Sequence, residues 1–184
     1  LNQDLTKDRT IQLVELCRLG NHKAQHELYN RYVKAMFNTA LRIVRVREEA
    51  EDVIQESFLD GFLKIDRFRG ESTFGAWLKS IVVNKAIAKL RAQKMDFEEI
   101  GNEGYYADTE DLDLEENKDT VYKIKKALNA LPNGFRLVLS LYLFEGYDHQ
   151  EIGQILGINE ATSRSQYLRG KAKLVEILKE KQWY

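Results

Sequence analysis

Apolar residues recur every three to four positions along most of this chain, the period of a helix that buries one face, and no stretch shows the strict alternation of a half-buried strand. The pattern predicts helices over residues 6–19, 21–44 and 47–65, and a long fourth one over 72–94. Gly20 is the expected stop of the first, and Asn21 and Ser72 the expected N-caps of the second and fourth. On the third, Val53, Ile54, Phe58, Phe62 and Ile65 form a core-facing stripe and the opposite face is acidic. On the fourth, Phe74, Trp77, Leu78, Ile81, Ile87 and Leu90 face inward. Further on, Val121, Ile124, Leu128 and Leu131 mark a short helix stopped at Pro132, and residues 135–144, almost wholly apolar, mark one expected at the centre of its domain. Asp148 and Glu151 stand at capping-box spacing, Ile152, Ile155 and Leu156 give a short apolar face, Gly157 a stop, and Asn159 a cap for the last helix. Residues 148–173 therefore read as helix, tight turn, helix, the outline of a helix-turn-helix.

Charge divides this pattern in two. Residues 96–119 hold eleven carboxylates against the single Lys118, a net charge of −10 in a chain whose total is −1. The flanks are therefore cationic, +5 on residues 1–95 and +4 on 120–184, which gives a polyanionic partner two separate places to bind. Within the first flank, residues 64–94 alone carry +6. The expected architecture is all-α: a helical domain over 1–95, an acidic linker over 96–119 and a second helical domain over 120–184. A lone Cys17 excludes an internal disulfide, no apolar run is long enough to span a bilayer, and no export signal stands at the start, so the expected location is the cytoplasm.

The chemistry these residues offer is recognition. The second helix of a helix-turn-helix lies in the major groove, and Arg164, Ser165, Leu168 and Arg169 occupy its outward positions. Arginine donates two hydrogen bonds to a guanine edge, whereas Lys171 and Lys173 suit the phosphate backbone. His22 and His26 are four residues apart but lack a third ligand, which favours a surface pair over a metal site, and His149 is expected to be exposed beside the capping Asp148. No phosphate loop, nucleophile and base, or paired-carboxylate motif stands out, so neither a cofactor nor catalysis is expected.

Three stretches together resemble a known family. DHQEIGQILGINEATSRSQYLRGK, from Asp148, is similar to the C-terminal DNA-binding domain of bacterial RNA polymerase sigma factors of the extracytoplasmic-function (ECF) group. AEDVIQESF, from Ala50, and FRGESTFGAWLKSIVVN, from Phe68, resemble the two signature helices of that family's N-terminal domain. The likeness covers about residues 8–180 and implies a factor that binds core polymerase and promoter DNA, with an anti-sigma protein as a further partner. By resemblance, Asp52, Gln55 and Glu56, which share one helix face, dock on a basic coiled coil of the polymerase's largest subunit. Phe68, Ser72 and Asn84 would line or flank a pocket for a base expelled from the −10 strand, and Lys79, Lys85 and Arg91 would hold its phosphates, whereas Phe74 and Trp77 are read as core.

The chain departs from the family pattern in places. Ala161, Thr162 and Ser163 stand where Gly, Thr and Val are common, so a small polar residue replaces an apolar anchor and is expected to loosen the recognition helix. Gln166 replaces a usual Arg, and Ala88 a frequent Asp, which alters the bases that can be read. Two other readings fit the helix-turn-helix alone: a stand-alone regulator whose N-terminal helices sense or dimerise, and a helical adaptor with no DNA contact. Neither accounts for the paired N-terminal motifs.

Overall fold

The computed structural model describes residues 2–98 and 118–181, and the acidic stretch expected to be a linker lies largely outside them. Chain contacts separate two compact units, Leu1–Ala107 and Asp108–Tyr184. Among the described residues every regular element is helical.

The first unit contains α1 (Asn2–Arg18), α2 (His22–Val44), α3 (Arg47–Leu63) and α4 (Phe74–Glu98), with a single 3-10 turn, Ile65–Arg67, after α3. Asn21 caps α2 as expected, accepting a hydrogen bond from the Ala24 N–H, and α2 ends at Arg45 in a left-handed conformation. The cap of α4 is Thr73, whose Oγ1 accepts from the Ala76 N–H at 3.2 Å, not the expected Ser72. Both residues are able to cap; burial of the Phe74 ring starts the helix one position later than the sequence suggests. Helices α2, α3 and α4 pack mutually, and α1 rests on α2 and on the 3-10 turn. Leu13, Leu28, Ile43, Val53, Leu78, Val82 and Val83 are almost wholly excluded from water, each contributing on the order of 1.5–3 kcal/mol by that burial. Val82 and Val83 extend the inward stripe of α4 beyond the residues its periodicity marks most strongly, while Trp77, Ile81 and Leu90 are only half-buried.

The second unit contains α5 (Lys118–Asn129), α6 (Asn133–Ser140), α7 (His149–Leu156) and α8 (Glu160–Glu180). Its core is Ala127, Leu128, Leu131, Leu139 and Ile177, closed over by Phe135, Tyr167, Leu174 and Leu178. The apolar run after Pro132 does not continue as one α-helix: Leu141–Glu145 is π-helical and ends at Gly146 with positive φ. The wider turn rotates side chains off the buried line, so Leu141 is fully buried while Tyr142, Leu143 and Phe144 are 39%, 52% and 46% exposed. The expectation that the whole run is central therefore holds only as far as Leu141.

Between α7 and α8 the chain turns within Gly157, Ile158 and Asn159, Gly157 adopting φ 67°. A Cβ at Gly153 would stand 2.7 Å from the Ile158 carbonyl oxygen, so this residue has no room for a side chain. Gly153→Ala is expected to destabilise the second unit by about 1–3 kcal/mol in urea unfolding followed by circular dichroism. Gly134→Ala, whose new methyl meets only the Gln166 side chain at ordinary contact distance, is expected to change stability by less than about 0.5 kcal/mol.

Candidate nucleic-acid interface

In the first unit the loop over residues 68–73 joins the 3-10 turn to α4. Phe68 is 8% exposed, its ring 5.7 Å from Phe74 and 5.5 Å from Trp77, so it anchors the loop from below rather than offering a free face to a ligand. Residues 69–73 are all exposed above it, with Gly70 at φ +75°. Beside them lies a recess of ≈ 550 Å³ edged by Phe68 and Trp77 and by the polar groups of Asp66, Arg69, Glu71 and Ser72. Trp77, read from sequence as core alone, is half-buried and has a second role as a wall of this recess. Periodicity grouped it with the core, whereas it sits at the core's edge; its position one turn after the loop was the signal for that.

Along α4, Asn84 and Arg91 follow Trp77 at seven-residue intervals and are exposed, so they extend one stripe away from the recess. Lys79, two residues after Trp77, falls round the helix from that stripe. Lys85 faces α3: its Nζ is 3.3 Å from Glu56 and 3.2 Å from Asp60. Lys89 is held likewise, 2.6 Å from Glu49 and 2.8 Å from Asp52. Burial pulls the Lys85 pKa down, but the hydrogen bonds it donates to Asp60 and Glu56 outweigh it and leave the pKa raised. Asp60 is correspondingly lowered, first by its hydrogen bond from Lys64 and then by that from Lys85.

The structure thus joins two groups that the sequence kept apart. Asp52, Gln55 and Glu56 do share the exposed face of α3, and Asp52 and Glu56 are neutralised by lysines of α4. The same face continues into Leu59 and Leu63, 61% and 73% exposed, at seven and eleven residues from Asp52. Reading this face as simply acidic missed that apolar extension.

In the second unit the helix-turn-helix closes as its caps require. Asp148 accepts from the Glu151 N–H, Glu151 accepts from the Asp148 N–H, and Asn159 accepts from the Thr162 N–H. Ser163, Gly170 and Ile177 form the buried side of α8, at seven-residue spacing. Leu168, 66% exposed, stands outward with Arg164, Arg169 and Lys171. Arg164 is bound to Glu160 of its own helix at 2.6 Å, and the Ser165 hydroxyl donates back to the Thr162 carbonyl.

His149 is not exposed. It is 9% accessible, stacked on Tyr142 at 4.8 Å, edge-on to Tyr167, and its Nδ1 lies 2.9 Å from the Ser163 Oγ. Ser163 is fully buried, and this hydrogen bond ties the first turn of α7 to the first turn of α8. The polar residue expected to loosen the recognition helix is thus matched by a polar partner. His22 and His26 pair with Gln25 and Asn30 of their own helix. Among the described residues no group of three or more His, Cys, Asp or Glu side chains is placed to hold a metal ion, and no helix is long and apolar enough to cross a membrane.

Each of the two helical units matches a known family model. Residues 28–95 match the family model for sigma-70 region 2, and residues 122–174 that for sigma-70 region 4. The ECF RNA polymerase sigma-E factor of Haemophilus influenzae is 31% identical over 170 residues, spanning 86% of this chain and 89% of that protein. The RNA polymerase sigma-H factor of Pseudomonas aeruginosa is 27% identical, spanning 95% and 96%. The sigma factor RpoE of Bartonella quintana, solved in complex with the anti-sigma factor NepR, shares the fold at TM-score 0.66 and 23% identity, over 84% of this chain and 96% of that one. The chain belongs to the ECF sigma factors of bacterial RNA polymerase.

The buried polar tie makes a sharp expectation. His149→Leu alone leaves the Ser163 hydroxyl short of a partner and is expected to cost about 1–3 kcal/mol, and adding Ser163→Val is expected to restore most of it, in a double-mutant cycle measured by urea unfolding.

Proposed function

We propose that the chain binds core RNA polymerase in the cytoplasm and directs it to promoters, residues 1–95 serving polymerase docking and −10 strand capture, 96–119 acting as a tether, and 120–184 reading the −35 duplex. The observation that carries this reading is the recess beside the 68–73 loop, with aromatic walls, a polar rim and the exposed Asn84 and Arg91 continuing along α4. An unstacked base needs such walls for its faces and such groups for its edge and backbone. Phe68 supports that recess from beneath, and Ser72 stands at its rim.

Docking uses Asp52, Gln55 and Glu56, with Leu59 and Leu63 covered beside them. Exposed ion pairs are worth only about 0–1 kcal/mol each, so incoming guanidinium groups on a basic coiled coil can displace Lys85 and Lys89 from these carboxylates. After that exchange Lys85 keeps Asp60 and Lys89 keeps Glu49, so the phosphate role expected of Lys85 requires the Asp60 pair to open as well. On α8, Arg169 and Leu168 read base edges and a thymine methyl, and Lys171 meets the backbone. Arg164 takes part by exchanging Glu160 for DNA, and Ser165 reinforces the helix start.

Two weak modules on one chain bind tightly only when their spacing is fixed, so promoter affinity arises on polymerase and not in the free protein. The complex of the Bartonella quintana sigma factor RpoE with NepR supports an anti-sigma partner here as well, and the exposed Leu59, Leu63, Leu143 and Phe144 are apolar surface for such a partner to cover.

The decisive experiment adds the purified chain to core polymerase and sequences the transcripts initiated on genomic DNA. A common −10 and −35 pair upstream of the start sites is expected, and failure to co-elute with core polymerase would overturn the reading. Arg169→Ala is expected to weaken −35 binding by about 1–3 kcal/mol in the assembled holoenzyme, and unchanged affinity removes it from the contacts. Replacing the carboxylates of residues 96–119 by their amides is expected to raise the free protein's DNA affinity, most at low salt, if the tether competes for the cationic faces; no gain at any salt concentration rejects that competition.

A further inference from the structure

Helix α1 has no part in the reading above, yet it reaches the strand-capture loop through one side chain. Arg18, in the last turn of α1, donates from Nη2 to the backbone carbonyl of Phe68, fifty residues on. Its Nη1 is held by Glu15 at 2.6 Å, and its Nε faces Asp66 of the 3-10 turn at 3.9 Å. The guanidinium is therefore held by a backbone carbonyl and one carboxylate, with the exposed Asp66 carboxylate close by, and the side chain is only 29% exposed.

We propose that Arg18 is a positioning residue for the 68–73 loop, holding the Phe68 carbonyl so that Arg69, Glu71 and Ser72 meet an expelled base in one register. The inference rests on the reading of that loop as the strand-capture element. The physical case begins with how little else holds the loop. Residues 69–73 are all exposed and turn at Gly70 with positive φ, so they bury no side chain of their own. Their placement comes from the two ends. The far end is Thr73, fixed as the cap of α4. The near end is Phe68, whose ring is locked inside by Phe74 and Trp77 and whose carbonyl is locked from outside by Arg18. With the ring alone the peptide that follows Phe68 keeps a torsional freedom; the second anchor removes it.

The surroundings of Arg18 agree. A second recess, ≈ 1160 Å³, runs between α1 and the loop, with Ile11, Glu15 and Arg18 on one wall and Arg69, Ser72 and Phe74 on the other. Helix α1 thus acts as the far bank against which the loop is set. A hydrogen bond from a charged donor is stronger than one between neutral groups, which suits it to hold a short exposed loop in one arrangement. Lysine would keep the charge but, as a point donor, would not serve Glu15, Asp66 and the carbonyl together.

The test compares wild type, Arg18→Lys and Arg18→Ala in holoenzyme assembled with core polymerase, using single-stranded −10 oligonucleotides of the promoter defined by transcript sequencing and the same oligonucleotides with one base changed. Arg18→Ala is expected to lose about tenfold in affinity for the promoter strand and much less for the altered strand, so that the ratio between them collapses; Arg18→Lys falls between. Affinity for polymerase is expected to be unchanged. Equal losses on both strands, with a shallower salt dependence, would make Arg18 a phosphate contact and overturn the proposal, as would an unchanged ratio. In the free protein, Arg18→Ala is expected to speed tryptic cleavage after Arg69 several-fold while circular dichroism stays that of wild type, and unchanged cleavage overturns the positioning role. This second measurement does not involve DNA. A wild-type holoenzyme that shows no base preference, beside accelerated cleavage in the variant, would instead remove the strand-capture reading and leave Arg18 as the anchor of a loop with another purpose.

Discussion

Helix α4 buries Phe74, Leu78, Val82, Val83, Ala86 and Ile87 against α2 and α3, and that burial decides where its other side chains can point. With one flank fixed in the core, the helical period carries Trp77, Asn84 and Arg91 to one outer side and Lys85 and Lys89 to the side of α3. The outer stripe and the lysine-carboxylate ladder are thus two consequences of a single constraint. Loss of the inward stripe would scramble both, although none of its residues lies on either surface.

Much of this was legible in the chain itself. The helical period, the caps at Asn21, Asp148 and Asn159 and the stop at Gly157 rest on interactions within a few residues, and such local chemistry is visible in sequence. What escaped depends on partners far along the chain. The cap of α4 fell on Thr73 because tertiary burial of Phe74 chose between two neighbouring candidates. His149 looked like a solvated neighbour of a cap, and nothing near it in sequence named Ser163, fourteen positions later, as its partner. A sign was present nevertheless: Ser163 occupies the seven-residue stripe of Gly170 and Ile177, and a polar residue on a buried stripe requires a partner.

The candidate sites show the same division. Sharing of a face by Asp52, Gln55 and Glu56 follows from spacing alone, but their neutralisation by Lys85 and Lys89 requires α3 and α4 to be packed together. Phe68 was expected, by resemblance, to line or flank the base pocket, and packing turned its ring inward beneath the loop. In the second unit, Gly153 permits the close turn and the His149–Ser163 pair fixes its two helices, so the orientation of the recognition helix depends on one absent side chain and one buried hydrogen bond. Neither reaches the outer face that carries Leu168, Arg169 and Lys171.

The π-helical segment Leu141–Glu145 has a consequence beyond geometry. By turning Leu143, Phe144 and one edge of Tyr142 toward solvent, it leaves an apolar spot on the second unit, as Leu59 and Leu63 do on the first. Apolar surface left open to water favours adhesion, so masking of this spot by any complementary surface would keep copies of the chain apart.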